Sequence, residues 1–209
     1  MNIINIYTDG SSLIKKDKYK SSSACIIESD NAYYELGMFH RGGTISYGEL
    51  TAIRLGIDLV SEYIDDDTEV NLFSDSEYCV KSLTEWIHNW SKSGRNTEWI
   101  KSDGKHVMYQ DVMKHIYYNY LTIYKNIHIY HINSHLNNKA QYKKSLAKFL
   151  KKNKNFTEDD FKRIVSYNDR VDKIALKILN DECLYYTYGY SKINKCNLIL
   201  NTNIFKKEV

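Results

Sequence analysis

The sequence predicts an α/β fold in which helices flank a mixed β-sheet. One observation is that short apolar or alternating segments, typical of strands, are interspersed with segments whose apolar residues recur at helical spacing. A second is that the first strands are separated only by turns, whereas the later ones are separated by helices. Turn-linked strands pair antiparallel and helix-linked strands pair parallel, so the sheet should contain both kinds of pair.

The first part of the chain contains three predicted strands. An apolar segment at residues 2–8 stops at Asp9 and Gly10, a pair typical of turns, so the first strand should end there. Segments at 21–28 and 33–39 predict two further strands joined by a tight turn. These two strands should form an antiparallel hairpin.

Helices and short strands alternate in the rest of the chain. In chain order, the predicted elements are a helix at 47–63, a buried strand at 70–73, helices at 77–90 and 107–120, a strand at 127–132 and a helix at 169–179. The last stretch, 181–209, contains strand-like tyrosines but no evident partner for them.

Length and composition indicate one globular domain. The chain has 209 residues, of which 43% are hydrophobic and 26% charged, which is enough to bury a core. It lacks the long apolar run of a membrane span and the basic start of a signal peptide, so we expect an intracellular protein. Its four cysteines are scattered without a C-x-x-C pair, which predicts neither a zinc site nor disulfides.

The charge is distributed unevenly although the net charge is only +3. Residues 136–167 contain nine Lys or Arg against three acidic residues, so this segment is strongly basic and the remainder is slightly acidic. A basic segment of this kind indicates a polyanionic partner. A charged helix exposed to solvent is the alternative, and charge alone does not decide between them.

Four acidic residues occupy positions where an α/β sheet commonly binds ligands. Asp9 and Asp75 follow predicted strands, and Glu49 and Asp172 lie in the first turns of predicted helices. Strand ends and helix tips meet at one edge of such a sheet, so the four carboxylates could converge. Each one alone has a simpler interpretation as a turn former or a helix-dipole partner. Together they predict a site for Mg²⁺ or Mn²⁺ and metal-assisted cleavage of a phosphodiester.

Six short motifs occur in order along the chain. They are Ile6-Tyr7-Thr8-Asp9-Gly10-Ser11, Gly48-Glu49-Leu50-Thr51-Ala52, Phe73-Ser74-Asp75-Ser76-Glu77-Tyr78, Trp86-Ile87-His88-Asn89-Trp90 with the following Ser91-Lys92-Ser93-Gly94-Arg95, Ile132-Asn133-Ser134-His135, and Asn168-x-x-x-Asp172-x-x-Ala175. In this order they resemble the motifs of the type 1 ribonuclease H family, over about residues 2–180. Each motif is only moderately specific, but six motifs in the correct order are strong evidence for the resemblance.

The resemblance implies a ribonuclease H-like five-stranded mixed sheet with the second strand antiparallel, and an enzyme that cuts the RNA strand of RNA/DNA hybrids. It implies two Mg²⁺ ions, with Mn²⁺ as a substitute, and products with 5′-phosphate and 3′-hydroxyl ends. Asp9 would hold both ions, Glu49 and Asp75 the one on the leaving-group side, and Asp75 with Asp172 the one that activates water. His135 stands where the family has a histidine that handles protons or assists product release.

The resemblance also implies contacts with each strand of the hybrid. Those expected beside the DNA strand are Thr44, which would bind a phosphate, and Trp86, Asn89 and Trp90. Those expected to read the 2′-hydroxyls of the RNA strand are Gly10, Ser11, Ser12, Ser46 and Glu77. For the tryptophans, packing in the core is the alternative interpretation.

Two departures from the family pattern concern recognition of RNA. Ile45, Ser46 and Tyr47 stand where the family commonly has asparagines, so the 2′-hydroxyls would be recognised differently or more weakly. Glu77 replaces a neutral residue, and its carboxylate accepts hydrogen bonds from hydroxyls but repels phosphate.

The largest departure is the spacing of 37 residues between His135 and Asp172, far longer than in the family. We therefore expect a ribonuclease H-like domain over 1–180 with a basic insertion at 136–167, and a C-terminal extension, 181–209, of unknown role. A short amphipathic helix is predicted in the insertion by Lys143, Leu146, Ala147, Phe149 and Leu150. The lysines that would face a hybrid are Lys143, Lys144, Lys148, Lys151 and Lys152.

Two functions from different classes follow from these observations. The first is a metal-dependent ribonuclease H that acts as a monomer on RNA/DNA hybrids, without a membrane or an obligate protein partner. The second is a hybrid- or nucleic-acid-binding module with little cleavage activity. All four carboxylates are present, which favours the enzyme, because such a cluster without a metal destabilises the fold. A DNA junction nuclease on the same fold is disfavoured by the tryptophan helix and the basic segment after it.

Overall fold

A mixed six-stranded sheet forms the centre of the structure, a computed structural model that describes residues 2–15, 18–30, 32–134, 136 and 138–189. The strands are β1 (Asn2–Lys15), β2 (Lys18–Ser29), β3 (Ala32–His40), β4 (Thr68–Ser74), β5 (Ile127–His131) and β6 (Tyr185–Gly189). They lie in the order β5-β4-β1-β2-β3-β6. The β5-β4-β1 pairs are parallel and the β1-β2-β3-β6 pairs are antiparallel, which confirms the predicted mixed sheet with an antiparallel second strand.

Helices connect the strands and cover the sheet. They are α1 (Ile45–Val60), α2 (Glu77–Lys81), α3 (Ile87–Trp90), α4 (Gln110–Ile116), α5 (Lys139–Lys152) and α6 (Glu158–Asp181). A π-helical stretch, Ser82–Trp86, joins α2 to α3, so the predicted helix at 77–90 is continuous. A second one, Tyr117–Leu121, extends α4. Among the described residues, no helix is both long enough and apolar enough to span a bilayer.

Both faces of the sheet are buried. On β2, Cys25 and Ile27 point into the core beneath α1, and the alternate residues Ala24 and Ile26 point into the core beneath α6. Strands buried on both faces are apolar along their length, which explains the short apolar segments in the sequence. α1 and α6 therefore lie on opposite faces, and each can bring a side chain to the same edge of the sheet.

The first strand does not end at Asp9, so the predicted turn at Asp9 and Gly10 is wrong. β1 continues to Lys15 because its backbone pairs with β2 over the whole length, from Asn5 opposite Glu28 to Lys15 opposite Lys18. Its parallel pairing with β4 does end close to Asp9, after Thr8. Asp9 thus lies in the middle of the strand but at the end of the parallel part of the sheet.

The last helix is twice as long as the sequence pattern predicts. α6 has 24 residues and begins with a capping box, in which the Thr157 side chain accepts from the backbone of Asp160 and the Asp160 side chain accepts from the backbone of Thr157. Its early turns carry an exposed charged face, but Phe161 and Ile164 continue the buried stripe of the later turns. The basic segment 136–167 therefore does not form a unit of its own: it contains α5, where the amphipathic helix was predicted, and the first half of α6.

Buried carboxylates of the sheet hold α6 in place. Glu28 on β2 accepts hydrogen bonds from the hydroxyls of Tyr7 (3.3 Å) and Tyr167 (2.7 Å) and forms an ion pair with Arg163. Two turns after Arg163 along α6, Arg170 forms an ion pair with buried Glu35 of β3. The burial of these acids is compensated by the arginines and tyrosines.

The C-terminal strand β6 pairs antiparallel with β3, Tyr33 lying opposite Gly189. The strand-like tyrosines of the C-terminal extension therefore find their partner at the β3 edge, where they add a sixth strand to the predicted five. The rest of that extension, residues 190–209, lies outside the described residues. Cys25, Cys79 and Cys183 are free thiols.

Candidate active site

Three of the four predicted carboxylates converge at the end of the parallel part of the sheet. Asp9 of β1, Glu49 of α1 and Asp75, which follows β4, each offer a carboxylate oxygen, and these oxygens lie within 4.8 Å of one another. The register explains this, because Thr8 and Ser74 are the last paired residues of β1 and β4 and the two aspartates come next. One edge of the sheet thus carries a compact acidic cluster.

Glu49 reaches the cluster through an unusually close contact between α1 and the sheet. A Cβ on Gly10 would lie 2.3 Å from the Glu49 backbone nitrogen, and a Cβ on Gly48 would lie 2.4 Å from the Ser22 carbonyl oxygen. Only glycine allows this approach. Glu49 was predicted in the first turn of the helix, which is wrong: α1 begins at Ile45, so Glu49 lies in the second turn and its position depends on packing rather than on the helix end.

Asp172 lies near the cluster but outside the group of three. It was predicted in the first turn of the last helix, whereas the longer α6 places it mid-helix, half-buried. Its charge is one of the causes that raise the pKa of Asp9. Asp172 therefore faces the same space as Asp9, from the opposite side of the sheet to Glu49.

The electrostatics of the cluster are those of a cation site. Asp9 and Glu49 are 5% and 6% exposed. Burial, and then the charges of neighbouring acids, raise the pKa of both carboxyl groups well above the usual range, and a hydrogen bond joins the two. The backbone N–H of Gly10 donates to Asp9 Oδ1 (2.7 Å) and opposes the shift. A bound cation would relieve this repulsion.

One atom of the cluster points to a missing partner. Glu49 Oε2 is buried and accepts no hydrogen bond from any described residue. A buried carboxylate oxygen without a donor is costly unless it coordinates something. Hard oxygen donors of this kind suit Mg²⁺ or Mn²⁺, so the residues present fit the expected divalent ions.

Of the two histidines that lie close in sequence to the end of β5, the structure describes one. His135, the predicted proton-handling residue, lies outside the described residues. His131, which the sequence suggested to be structural, is half-buried, and its Nε2 donates to the backbone oxygen of Asp75 at 3.2 Å. Burial lowers the pKa of His131. No sequence signal distinguishes His131, because the contact depends on the pairing of β4 with β5.

The predicted phosphate-binding residue Thr44 is positioned by a tyrosine that the sequence did not indicate. Thr44 precedes α1 and is half-buried. The Tyr109 hydroxyl donates to Thr44 Oγ1 (3.1 Å) and accepts from the Thr44 backbone N–H (3.2 Å). The Tyr109 ring also packs against Tyr47. Thr44 thus has a fixed orientation at the start of α1.

The predicted DNA-strand residues include both surface and partly buried groups. Trp86 is 37% exposed and packs edge-on against half-buried Trp90, at a ring distance of 6.0 Å. Trp90 in turn contacts Trp99, which is fully buried. Asn89 is exposed, and its Oδ1 accepts from Lys92 at 3.0 Å. Core packing therefore accounts for Trp99 and partly for Trp90, and leaves Trp86 available to a ligand.

The predicted RNA-strand residues lie along the elements that carry the carboxylates. Ser11 and Ser12 are half-buried in β1 beyond Asp9, and Ser46 is half-buried in the first turn of α1. Glu77 is exposed at the start of α2 and pairs with Lys81 at 2.8 Å, which lowers the pKa of its carboxyl group. The pairing offsets the charge that would repel a phosphate.

Comparisons with known proteins agree with the architecture. The RNase H family model matches residues 1–155. The Ribonuclease H of Tropheryma whipplei (strain Twist) is 33% identical over 92 residues, which cover 44% of this chain and 52% of that protein. The Ribonuclease H of Thermoanaerobacter sp. (strain X514) is 27% identical over 117 residues, 56% of this chain and 69% of that one. The chain thus spans about half the length of the first relative.

Solved structures show the same fold at low sequence identity. The crystal structure of LC9-RNase H1, described as a type 1 RNase H with the type 2 active-site motif, has a TM-score of 0.61 at 11% identity and covers 90% of this chain and 78% of its own. RNase H1 from Halobacterium salinarum NRC-1 has a TM-score of 0.50 at 17% identity, covering 86% and 98%. At these identities the likeness concerns the fold alone.

Proposed function

This chain belongs to the RNase H family, and from that premise we propose that it is a metal-dependent endoribonuclease that cleaves the RNA strand of RNA/DNA hybrids. The observation that carries the proposal is the convergence of Asp9, Glu49 and Asp75 within 4.8 Å, with the charge of Asp172 close by. A fold-stabilising role alone does not account for buried acids that repel one another. All four carboxylates come from one chain, so the catalytic unit is a monomer.

The four carboxylates would hold two Mg²⁺ ions, for which Mn²⁺ would substitute. Asp9 would contribute to both sites, Glu49 and Asp75 to the site on the leaving-group side, and Asp75 with Asp172 to the other. When bound, such ions lower the pKa of the attacking water and stabilise charge on the departing 3′-oxygen, which leaves 5′-phosphate and 3′-hydroxyl ends.

The protein's own groups prepare the cluster for this task. The Gly10 N–H fixes one oxygen of Asp9, and His131 holds the Asp75 backbone through its carbonyl oxygen. Because the pKa values of Asp9 and Glu49 are raised, the metal-free cluster retains protons near neutral pH and releases them when cations bind. His135 would handle a proton or assist product release.

Substrate recognition would divide between the strands of the hybrid. On the DNA side, Thr44 would bind a phosphate, and Trp86, Asn89 and Trp90 would pack on sugars and phosphates. On the RNA side, the 2′-hydroxyls would meet groups of β1, α1 and α2, namely Gly10, Ser11, Ser12, Ser46 and Glu77. Only the 2′-hydroxyl distinguishes RNA from DNA at a given position, so the RNA-side contacts would provide specificity.

The proposal is tested by incubating the protein with labelled RNA/DNA hybrid, duplex DNA and duplex RNA, with Mg²⁺ and then with a chelator. We expect cleavage of the RNA strand of the hybrid alone, and only with metal. Asp75→Asn is the control for a contaminating nuclease. Binding of the hybrid without cleavage would contradict the proposal and favour the binding module, and cleavage of duplex DNA would favour a DNA nuclease on this fold.

A further inference from the structure

A charged groove lies between the basic helix α5 and the helix that follows Asp75. It has a volume of about 220 Å³. Its walls come from α2 and the π-helical stretch on one side, α5 on the other and the end of β5 at the floor. Its charged lining residues are Glu77, Lys81, Glu85, Lys148 and Lys152. We refer to it as the α5 groove.

The orientation of α5 is fixed by its buried face. Ser145 Oγ accepts a hydrogen bond from the Asn133 side chain (2.6 Å), and Phe149, one turn later, packs against Phe156 and Phe161. Both Ser145 and Phe149 are buried. Lys148 and Lys152 flank this stripe and line the groove with their neighbours on α2. The position of both lysines at the groove is therefore fixed by the packing of the buried face of α5.

The two lysines carry charge that the described part of the protein leaves unpaired. On the opposite wall, Lys81 is engaged by Glu77. Lys148 and Lys152 are exposed, and no described residue forms an ion pair within 4.0 Å of either. Glu85, the remaining acid of the lining, is also exposed. The α5 wall thus presents two cations one helical turn apart that form no ion pair with a described residue, although the charge of Lys148 helps to lower the pKa of Glu77 across the groove.

The groove lies next to the carboxylate cluster. Its lining includes His131, whose Nε2 contacts the Asp75 backbone oxygen, and Glu77, two residues after Asp75. A nucleic-acid strand whose phosphate lies at the carboxylates therefore has the groove beside it, next to α2. Phosphates are the groups that unpaired lysines bind in such a position.

We propose that the α5 groove is an additional phosphate-binding site for the strand that is cut, in which Lys148 and Lys152 contact its backbone beside the scissile phosphate. This proposal rests on the proposed ribonuclease H function, because it takes the RNA strand of the hybrid to be the polyanion that the two lysines bind. It also reduces the number of lysines that we expect to contact the hybrid. Of the five lysines expected to face a hybrid, Lys148 and Lys152 line the groove and Lys143 projects from the other side of α5.

A matched control is available on the same helix. Lys139 and Lys143 have the same spacing as Lys148 and Lys152, are also exposed and lie roughly 160° around the helix from them. We would compare K148Q/K152Q with K139Q/K143Q, both in an Asp9→Asn background that does not cut. Hybrid affinity would be measured at several salt concentrations.

We expect K148Q/K152Q to reduce the slope of log affinity against log salt by about 1.4 to 1.8, since two phosphate contacts are lost. This amounts to a roughly 25- to 60-fold change in relative affinity per tenfold change in salt. K139Q/K143Q should retain the slope of the parent. Equal slopes in all three proteins, or an equal reduction by both pairs, would overturn the proposal.

The choice of strand is tested with hybrids in which one strand carries uncharged methylphosphonate linkages beside the cleavage site. Neutralising the RNA strand should abolish the difference between K148Q/K152Q and its parent, whereas neutralising the DNA strand should preserve it. The opposite result would overturn the assignment to the cut strand. Cleavage by the protein with native Asp9 is measured in parallel, so that failure of the enzyme itself is recognised separately from failure of the groove.

Discussion

Asp9 and Glu49 share a hydrogen bond in a place that water hardly reaches, with Asp75 and Asp172 adding negative charge nearby. Acids in such a place retain protons, and each unit of raised pKa corresponds to about 1.4 kcal/mol of lost stabilisation of the charged form. The residues are therefore suited to binding cations at the expense of the stability of the metal-free protein.

Asp9→Asn should abolish cleavage of hybrids while keeping or raising the stability of the metal-free protein. The amide still accepts from the Gly10 N–H but removes one charge from the cluster, so we expect an increase in Tm of about 2–8 °C. Calorimetry and a hybrid cleavage assay measure both effects. Asp66→Asn, in the exposed loop before β4, is the control and should change neither. Cleavage at the unmodified rate by Asp9→Asn would contradict the metal assignment.

The stability of the metal-free protein should decrease as the pH rises from about 6.5 to the raised pKa of Asp9, about 8. The folded pKa values of Asp9 and Glu49 are raised, so the folded state binds more protons than the unfolded state until the pH passes them. Buried His40, with a pKa lowered to about 4, has the opposite effect only below its unfolded value of about 6.5. Thermal unfolding against pH should show a shallower decrease in Asp9→Asn, and saturating Mg²⁺ should reverse the trend. A parallel decrease in both proteins would refute this account.

His135 is predicted from the sequence to be an accessory group, in contrast to the carboxylates. His135→Ala should lower turnover of hybrids by about 10- to 1000-fold, the usual range for loss of a proton-transfer group. His128→Ala is the matched control, because His128 is exposed on β5 and contacts no carboxylate of the cluster. A loss as complete as that of Asp9→Asn would show that His135 has an essential role.

At the scale of elements, the contact between β1 and α1 determines whether Glu49 can join Asp9. A methyl group on Gly10 would approach the Gly48 carbonyl carbon to 2.5 Å and the Glu49 nitrogen to 2.3 Å, so the helix would have to move. Backbone atoms cannot yield as a flexible side chain can. The glycine is thus required by packing and not by a turn.

Gly10→Ala should destabilise the protein by about 1–3 kcal/mol and reduce cleavage more than its stability loss explains, because Glu49 is displaced from the cluster. Chemical denaturation and cleavage at a temperature where the variant is folded separate these effects. Gly42→Ala, which meets no heavy atom within 4 Å, should be neutral in both assays. If Gly10→Ala cleaves normally, the close contact is not what positions Glu49.

α6 is one continuous helix, whereas the sequence pattern predicts only its second half. Its buried stripe runs from Phe161 to Leu179, and Arg163 and Arg170 reach Glu28 and Glu35 on neighbouring strands. The pattern of the last turns alone is apolar enough to predict a helix. The first turns are charged on their exposed side, and their burial is evident only with the sheet in place.

For the molecule as a whole, β6 protects the outer edge of β3. Such an edge offers unpaired backbone groups to other chains when it is exposed. β6 starts four residues after the end of α6, and Glu182 in this connection pairs with Lys20 at the start of β2. The C-terminal strand is therefore part of the sheet, although it lies far from the carboxylates.

A chain that ends at Leu184 should retain metal-dependent cleavage of hybrids and lose about 3–10 °C in Tm, because β3 loses its partner strand. A chain that ends at Gly189 keeps β6 and is the matched control. Light scattering should show stronger self-association of the shorter chain. Loss of cleavage by the folded, shorter chain would show that residues 185–189 contribute to the active site.

The α/β class, the order of helices and strands, and the acidic residues that converge at the sheet edge could all be predicted from the sequence, because hydrophobic period and short motifs are local properties. The sequence could not show that β1 continues past Asp9, since a strand ends where its backbone partner ends, and that partner is β2. Nor could it show that Glu49 depends on Gly10, that α6 is continuous, or that β6 pairs with β3. Each of these is decided by contacts between residues far apart in the chain, which only the tertiary structure brings together.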